Sequence, residues 1–147
     1  MEVDQRDIVN ETVEAIVNPA NERLQHAGGC AAAISRAAGS ILDSESENYV
    51  KAMGELEVGK CTYTTAGNMA LQGVKFVIHT VGPVFNNGEP VLMQQIKLFN
   101  AVFNALKMAN SLGCKSIAIP AISSGIFGFP VPLCAQVIFS AIHNFIK

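Results

Sequence analysis

The sequence predicts an α/β fold in three layers, an α/β/α sandwich whose central sheet is covered by helices on both faces. Three observations carry that prediction. Short apolar or β-branched runs at 14–18, 61–65, 75–81 and 117–122 alternate with longer helical patterns. The stretch 92–106 places Leu92, Ile96, Phe99, Phe103 and Leu106 at spacings of four and three, one apolar stripe on a helix. Small-residue turns rich in Gly, Ser and Asn follow directly on strands, where open α/β sheets hold their ligands.

In chain order, Glu14 to Asn18 reads as a strand that Asn18-Pro19 stops. Cys30 to Ala38 is alanine-rich and reads as a helix that starts after Gly28-Gly29 and ends at Gly39. A polar helix follows over Asp43 to Gly54, with Glu45, Glu47 and Lys51 toward water. Cys61 to Thr65 alternates and is β-branched, hence a strand. Lys75 to Val81 is another, stopped by Gly82-Pro83, with a turn at Asn86 to Pro90. The long helix around Leu92 to Leu106 ends at Gly113 and leads into a strand over Ile117 to Ile122. Cys134, Ile138, Ile142 and Phe145 mark a last helix that runs to the end of the chain. Residues 1–147 therefore form one domain, with no internal repeat or linker.

Half of the 147 residues are hydrophobic, which argues for a packed core and against disorder. Ten basic and twelve acidic residues give a formal charge of −2, with no arginine–lysine cluster. Affinity through a ladder of phosphate contacts is disfavoured, so a long nucleic acid is not the expected partner. The four cysteines are scattered and no histidine stands at metal-ligand spacing, so free thiols are expected and no metal site. The first thirty residues hold no signal-peptide pattern, and no apolar run reaches eighteen residues, so no membrane association is expected. There is no GxxxxGK[ST], no GxGxxG after a strand, no GxSxG elbow and no carboxylate pair near the glycine-rich turns.

Two loops carry the functional reading. Ser123-Ser124-Gly125-Ile126-Phe127-Gly128 follows the last strand and offers hydroxyls and backbone N–H groups to an anion. Asn18-Pro19-Ala20-Asn21 with Ala27-Gly28-Gly29 forms the other, so an elongated phosphate-bearing ligand between them is the first expectation. Asn18 and Asn21 serve either as turn formers or, for Asn21, as a carboxamide aimed at ligand hydroxyls. Gly28-Gly29 is either a tight turn or an anion cradle at a helix start. Asp7 is an exposed carboxylate or an acceptor for an exocyclic amine. His26 is inert or orients a water. His79 reads as a satisfied strand histidine. Phe127 and Phe129 are core, or a wall that shields a sugar.

These segments resemble a known family. Val17-Asn18-Pro19-Ala20-Asn21, Gly28-Gly29, Ile78-His79-Thr80-Val81-Gly82-Pro83 and Pro120 to Gly128 look like the signatures of a macrodomain, the ADP-ribose-binding module, in order and over residues 7 to 143. The run Asn21 to Ile34 resembles most the first macrodomains of multi-domain ADP-ribosyltransferases and those of coronaviruses. The resemblance implies a mixed central sheet. It implies that Asp7 accepts from the adenine amine with Ile8 packed nearby. Asn21 would bind the distal ribose, with Gly28, Gly29 and Cys30 at the inner phosphate. Val81 would line the pocket, and Ser123, Ser124, Gly125, Ile126 and Phe127 would wrap the diphosphate.

It further implies a metal-independent, cofactor-free hydrolase that removes mono-ADP-ribose from acidic side chains, with Asn21 and His26 holding the attacking water. A non-catalytic ADP-ribose reader is the alternative, and an RNA-associated or scaffolding module a third. The implied partners are ADP-ribose and mono-ADP-ribosylated proteins, for a monomer in the cytoplasm or nucleus. Three departures stand out. Ala31 occupies the position of an aspartate found in one hydrolase branch, and Pro19 stands where alanine is usual. The chain stops at Lys147, so a C-terminal strand and helix usual in the family are expected to be lacking.

Overall fold

Strand β1 (Ala15–Ala20) sits inside the sheet because its side chains, all apolar except Asn18, are almost entirely buried. In the computed structural model, which describes all 147 residues, β2 (Cys61–Thr65), β3 (Phe76–Val81) and β4 (Ile117–Ala118) complete a sheet of order β2-β3-β1-β4. β1 runs parallel to both neighbours and β2 runs antiparallel to β3, so the sheet is mixed. Successive side chains of a strand point to opposite faces, and the two cores follow that alternation. Ile16 and Val77 pack beneath α1 (Gly29–Ala38) and α2 (Ser40–Met53) with Ile34, Ala38 and Leu42. Ala15, Val17 and Ile78 pack under α3 (Val91–Ser111) and α4 (Val131–Ile146) with Leu98, Val102, Phe129 and Cys134. The result is the expected three-layer sandwich.

Four expectations need correction. The chain does not lack a C-terminal strand and helix: β4 and α4 are its last elements, and α4 covers one face of the core. β1 does not stop at Asn18 but continues through Pro19 to Ala20. Ala15 N–H donates to the Ser116 carbonyl on the β4 side. Alternate residues face the same neighbour, so Pro19 also faces that side, beyond the end of β4, and no ladder bond is lost. The strand expected over 117–122 is only Ile117–Ala118, interrupted by Pro120. α2 begins at Ser40, directly behind Gly39, whose φ of 87° turns the chain between two helices.

The stripe read on α3 reaches the core only in part: Leu106 is buried there. Leu92 and Ile96 are exposed, while Phe99 and Phe103 are half-buried at the seam with α4. Ala101, Ala105 and Ala109 lie toward the sheet instead, with Leu98 and Val102. Small residues there let the helix approach so closely that Thr80 Oγ1 of β3 donates to the Ala101 carbonyl at 2.7 Å.

Candidate functional site

The C-terminal ends of β1 and β3, together with the segment after β4, open on one side of the sheet. A cleft of about 400 Å³ lies there, lined by Asn21, Val81, Gly82, Val84 and Phe127, with Glu22, Arg23 and Glu55 at its rim. Three of the residues expected in the site, Asn21, Val81 and Phe127, therefore meet from three separate segments. The rim pair Arg23 Nε–Glu55 Oε2 is 3.4 Å apart and exposed, which gives it little energetic weight.

The segment after β4 is folded back on itself. Ser124 N–H donates to the Ala121 carbonyl at 3.2 Å and Gly128 N–H to the Gly125 carbonyl at 2.9 Å. Phe129 N–H donates to the Ser123 carbonyl at 2.8 Å, and Phe85 N–H reaches across to the Phe127 carbonyl at 2.8 Å. Buried Phe129, stacked edge-on with Phe85 at 5.1 Å, anchors the loop in the core. Between these ties the N–H groups of Gly125, Ile126 and Phe127 have no acceptor in the chain, and Ile126 is fully exposed. Consecutive unpaired N–H groups in a turn form a concavity suited to an anion. Ser123 is held at φ +68° with its hydroxyl buried and unpaired. A Cβ on Gly82 would stand 2.2 Å from that hydroxyl, so only glycine allows the two segments to lie this close.

The loop after β1 is tied by its own asparagine. Asn21 Nδ2 donates to the Gln25 carbonyl at 2.8 Å, and Asn21 Oδ1 accepts from Gln25 N–H at 2.9 Å. Leu24, at φ +52°, buries its side chain against Ala20, Leu56 and Val81. The exposed Gly28 then caps α1 without a side-chain acceptor. The first helical bond runs from Ala32 N–H to the Gly28 carbonyl, which leaves the N–H groups of Gly29, Cys30 and Ala31 unpaired at a positive helix end. Cys30 is half-buried, and burial together with the Asp7 carboxylate pushes its thiol up, away from nucleophilic duty. Asp7 is exposed and accepts from Val9 N–H at 3.3 Å, while Ile8 packs on the α1 side. Asp7, Ile8 and Cys30 thus gather at the start of α1, outside the lining of the cleft.

Behind the cleft lies a polar network in an otherwise apolar interior. Asn18 Nδ2 bonds His79 Nδ1 at 2.9 Å and His26 Nδ1 at 3.2 Å. His79 Nε2 meets Thr64 Oγ1 at 2.9 Å, and His26 Nε2 meets Ser46 Oγ at 3.0 Å. The imidazoles stack with centroids 5.1 Å apart and planes 19° from parallel. Burial lowers His79 from 6.5 to about 3, aided by His26. Burial also lowers His26, against the opposing pull of Asp43. Both rings are therefore neutral at pH 7, and every ring nitrogen is committed. Sequence reasoning missed this network and the approach of Gly82 to Ser123. Its one available signal was a pair of polar residues, Asn18 and His79, inside two apolar strands that the register brings side by side.

No group of three or more His, Cys, Asp or Glu is placed to hold a metal ion, and no helix is long and apolar enough to cross a membrane. All four cysteines are free.

An open α/β sheet with two loops of unpaired backbone donors at its strand ends defines an α/β module with a backbone-lined anion site. The family model described as "Macro domain" matches residues 17–138, and the chain belongs to that family. It is 41% identical to an O-acetyl-ADP-ribose deacetylase of Escherichia fergusonii, over 97% of this chain and 77% of that protein. It is 42% identical to the human protein mono-ADP-ribosyltransferase PARP14 over 97% of this chain, which spans 8% of that protein. The chain also spans only 22% of a Thermotoga maritima relative that is 46% identical to it over 95% of the chain. Among solved structures, the Oceanobacillus iheyensis macrodomain with ADP superposes with a TM-score of 0.87 at 34% identity, covering 95% of this chain and 73% of the other.

Proposed function

We propose that this cleft binds ADP-ribose, free or attached to protein, and cleaves an ester at the distal ribose. The observation that carries the reading is the pair of uncommitted backbone donor sets, Gly125 to Phe127 and Gly29 to Ala31, on a chain with no basic cluster. A diphosphate is the ligand such donors suit, because fixed dipoles replace lysine and arginine. Asn21 fits the distal ribose: one amide hydrogen and one lone pair serve Gln25, so a second of each remains for ribose hydroxyls. Phe127 covers that sugar, Val81 lines the floor, Gly28 to Cys30 meet the inner phosphate, and Asp7 with Ile8 takes the adenine edge.

The relative named as an O-acetyl-ADP-ribose deacetylase supports ester cleavage as the reaction class. A carboxylate side chain joined to the ribose presents a comparable ester, which makes mono-ADP-ribosylated acidic residues the finer substrate reading. In either case water adds, the acyl–sugar bond breaks, and a carboxylic acid and a free sugar hydroxyl result. Asn21 holds the sugar and the water. His26 acts as a brace rather than as a water ligand, since neither of its nitrogens is free.

That same commitment favours a second reading, a reader that binds without turnover. Calorimetric titration with ADP-ribose and with AMP tests the binding: ADP-ribose tighter than AMP by about tenfold or more supports it. The absence of saturable binding overturns it in favour of a scaffolding module. Turnover of O-acetyl-ADP-ribose and of a glutamate-linked ADP-ribosyl peptide then separates enzyme from reader.

A further inference from the structure

The loop from Asn21 to Gly29 has few anchors. Leu24 fills a pocket below it, and after Leu24 the chain is exposed or half-exposed until α1 begins. His26 is the last side chain fixed from inside before Ala27, Gly28 and Gly29, and it is fixed from three elements. Asn18 of β1 holds Nδ1, His79 of β3 stacks on the ring face, and Ser46 of α2 holds Nε2.

The centre of the arrangement is one carboxamide. Its NH₂ has two hydrogens, and one goes to each Nδ1. With the carboxamide placed this way, each imidazole accepts at Nδ1 and would carry its proton on Nε2, facing the Ser46 and Thr64 oxygens. Asn18 Oδ1 is left fully buried with no partner. Such an orphan acceptor is costly. Turning the carboxamide over would pair Oδ1 only if both rings moved their protons to Nδ1 and both hydroxyls became donors.

We infer that Asn18 and His79 are positioning residues for the cleft, acting through the neutral ring of His26 to set the path of the Asn21–Gly29 loop. Neither residue touches the cleft. The inference deepens the ADP-ribose reading and rests on it only for its binding readout. The groups that face His26 are Asn18 from β1, His79 from β3, and Ser46 and the Asp43 carboxylate from α2.

The test replaces Asn18→Asp in the full chain, which presents acceptors to both Nδ1 atoms and reverses the donor pattern. A milder variant, Ser46→Ala, removes only the α2 tether and keeps the fold if Asn18→Asp does not. Nitrogen-15 spectra of the histidines report the tautomer, hydrogen exchange of Gly28 and Gly29 reports the loop, and ADP-ribose serves as the probe ligand. The expected result for Asn18→Asp is a His26 that carries a proton on Nδ1 and titrates at higher pH than in the parent. Faster exchange at Gly28 and Gly29 and an ADP-ribose Kd raised about tenfold should accompany it. Ser46→Ala should raise the Kd about threefold and speed the same exchange. Unchanged loop exchange in both variants overturns the inference, whether or not ADP-ribose binds. Absent binding in the parent chain refutes the proposed ligand alone, because tautomer and exchange are read without it.

Discussion

Gly82→Ala probes the joint between the two halves of the cleft. Gly82 is not among the glycines with positive φ, so alanine meets no backbone penalty and the whole cost is steric. The new Cβ would lie 2.2 Å from Ser123 Oγ and 2.7 Å from Ile122 Cγ2. An ordinary contact needs roughly 3.5 Å, so both atoms must retreat by about 1 Å. The hydroxyl is unpaired and can rotate away, but Ile122 is buried among Phe129 and Cys134 and has nowhere to go. Overpacking of this kind costs about 1–3 kcal/mol. Urea denaturation measures it, and an ADP-ribose titration should show weaker binding, since Ser123 carries the donor loop.

A double-mutant cycle with Ser123→Gly isolates the contact. The glycine removes the buried hydroxyl and suits the φ of +68°. Alone it should leave stability unchanged or raise it by about 1 kcal/mol. In its presence, Gly82→Ala should cost about 1 kcal/mol less than in the parent. Strict additivity, or a neutral Gly82→Ala, would refute the claim that this close approach requires glycine.

Further consequences follow from the same geometry. Because His79 is depressed from 6.5 to about 3, its neutral ring contributes full stability above pH 6.5 and progressively less as pH falls toward 3. Wild-type unfolding free energy should therefore drop by about 1.4 kcal/mol per pH unit on this account, and His79→Gln should remove that slope; equal slopes in urea titrations between pH 7 and 5 would contradict it. Gly67→Ala places a Cβ 2.2 Å from the Ala38 carbonyl oxygen at a φ of +56°, against backbone that cannot rotate away. It should cost more than about 3 kcal/mol, whereas Gly125→Ala, with open space around it, should stay within about 0.5 kcal/mol. Asn21→Ala should slow ester turnover well beyond its loss of ADP-ribose affinity; proportional losses in both would remove its role at the reacting bond.

What was legible in the sequence was local. β2, β3 and α1 follow from alternation, alanine content and glycine stops, and they lie close to where those signals put them. The Asn21, Val81 and Phe127 side chains do meet in one cleft. The unread part depends on register. Asn18 and His79 are 61 positions apart and meet only because β1 and β3 pair in parallel. Ser46 and Thr64 carry no signal of their own. The orientation of α3 was misread because large side chains mark an apolar stripe more loudly than alanines, yet the alanines allow the closest approach to the sheet. The expectation of a missing C-terminal strand and helix came from resemblance, although the patterns at 117–122 and 134–145 had already marked both elements.

The place where the sheet ends is also what makes the site. By the register of β1 with β4, residue 19 would donate to the Pro120 carbonyl if the ladder continued. Pro19 has no N–H to give, and Pro120 has none to return. The Pro120 carbonyl instead accepts from Ile122 N–H at 2.9 Å, and the chain turns away over the strand ends. Two prolines, Pro19 within β1 and Pro120 just past β4, thus keep the pairing from continuing beyond two residues. Further along the chain lie the unpaired N–H donors of Gly125 to Phe127. A chain with net charge −2 can in this way present positive backbone dipoles to an anion without a basic residue in the loop. Pro19 is therefore no defect in β1: it faces the side that β4 has already left, while β1 stays paired with β3 through Ala20.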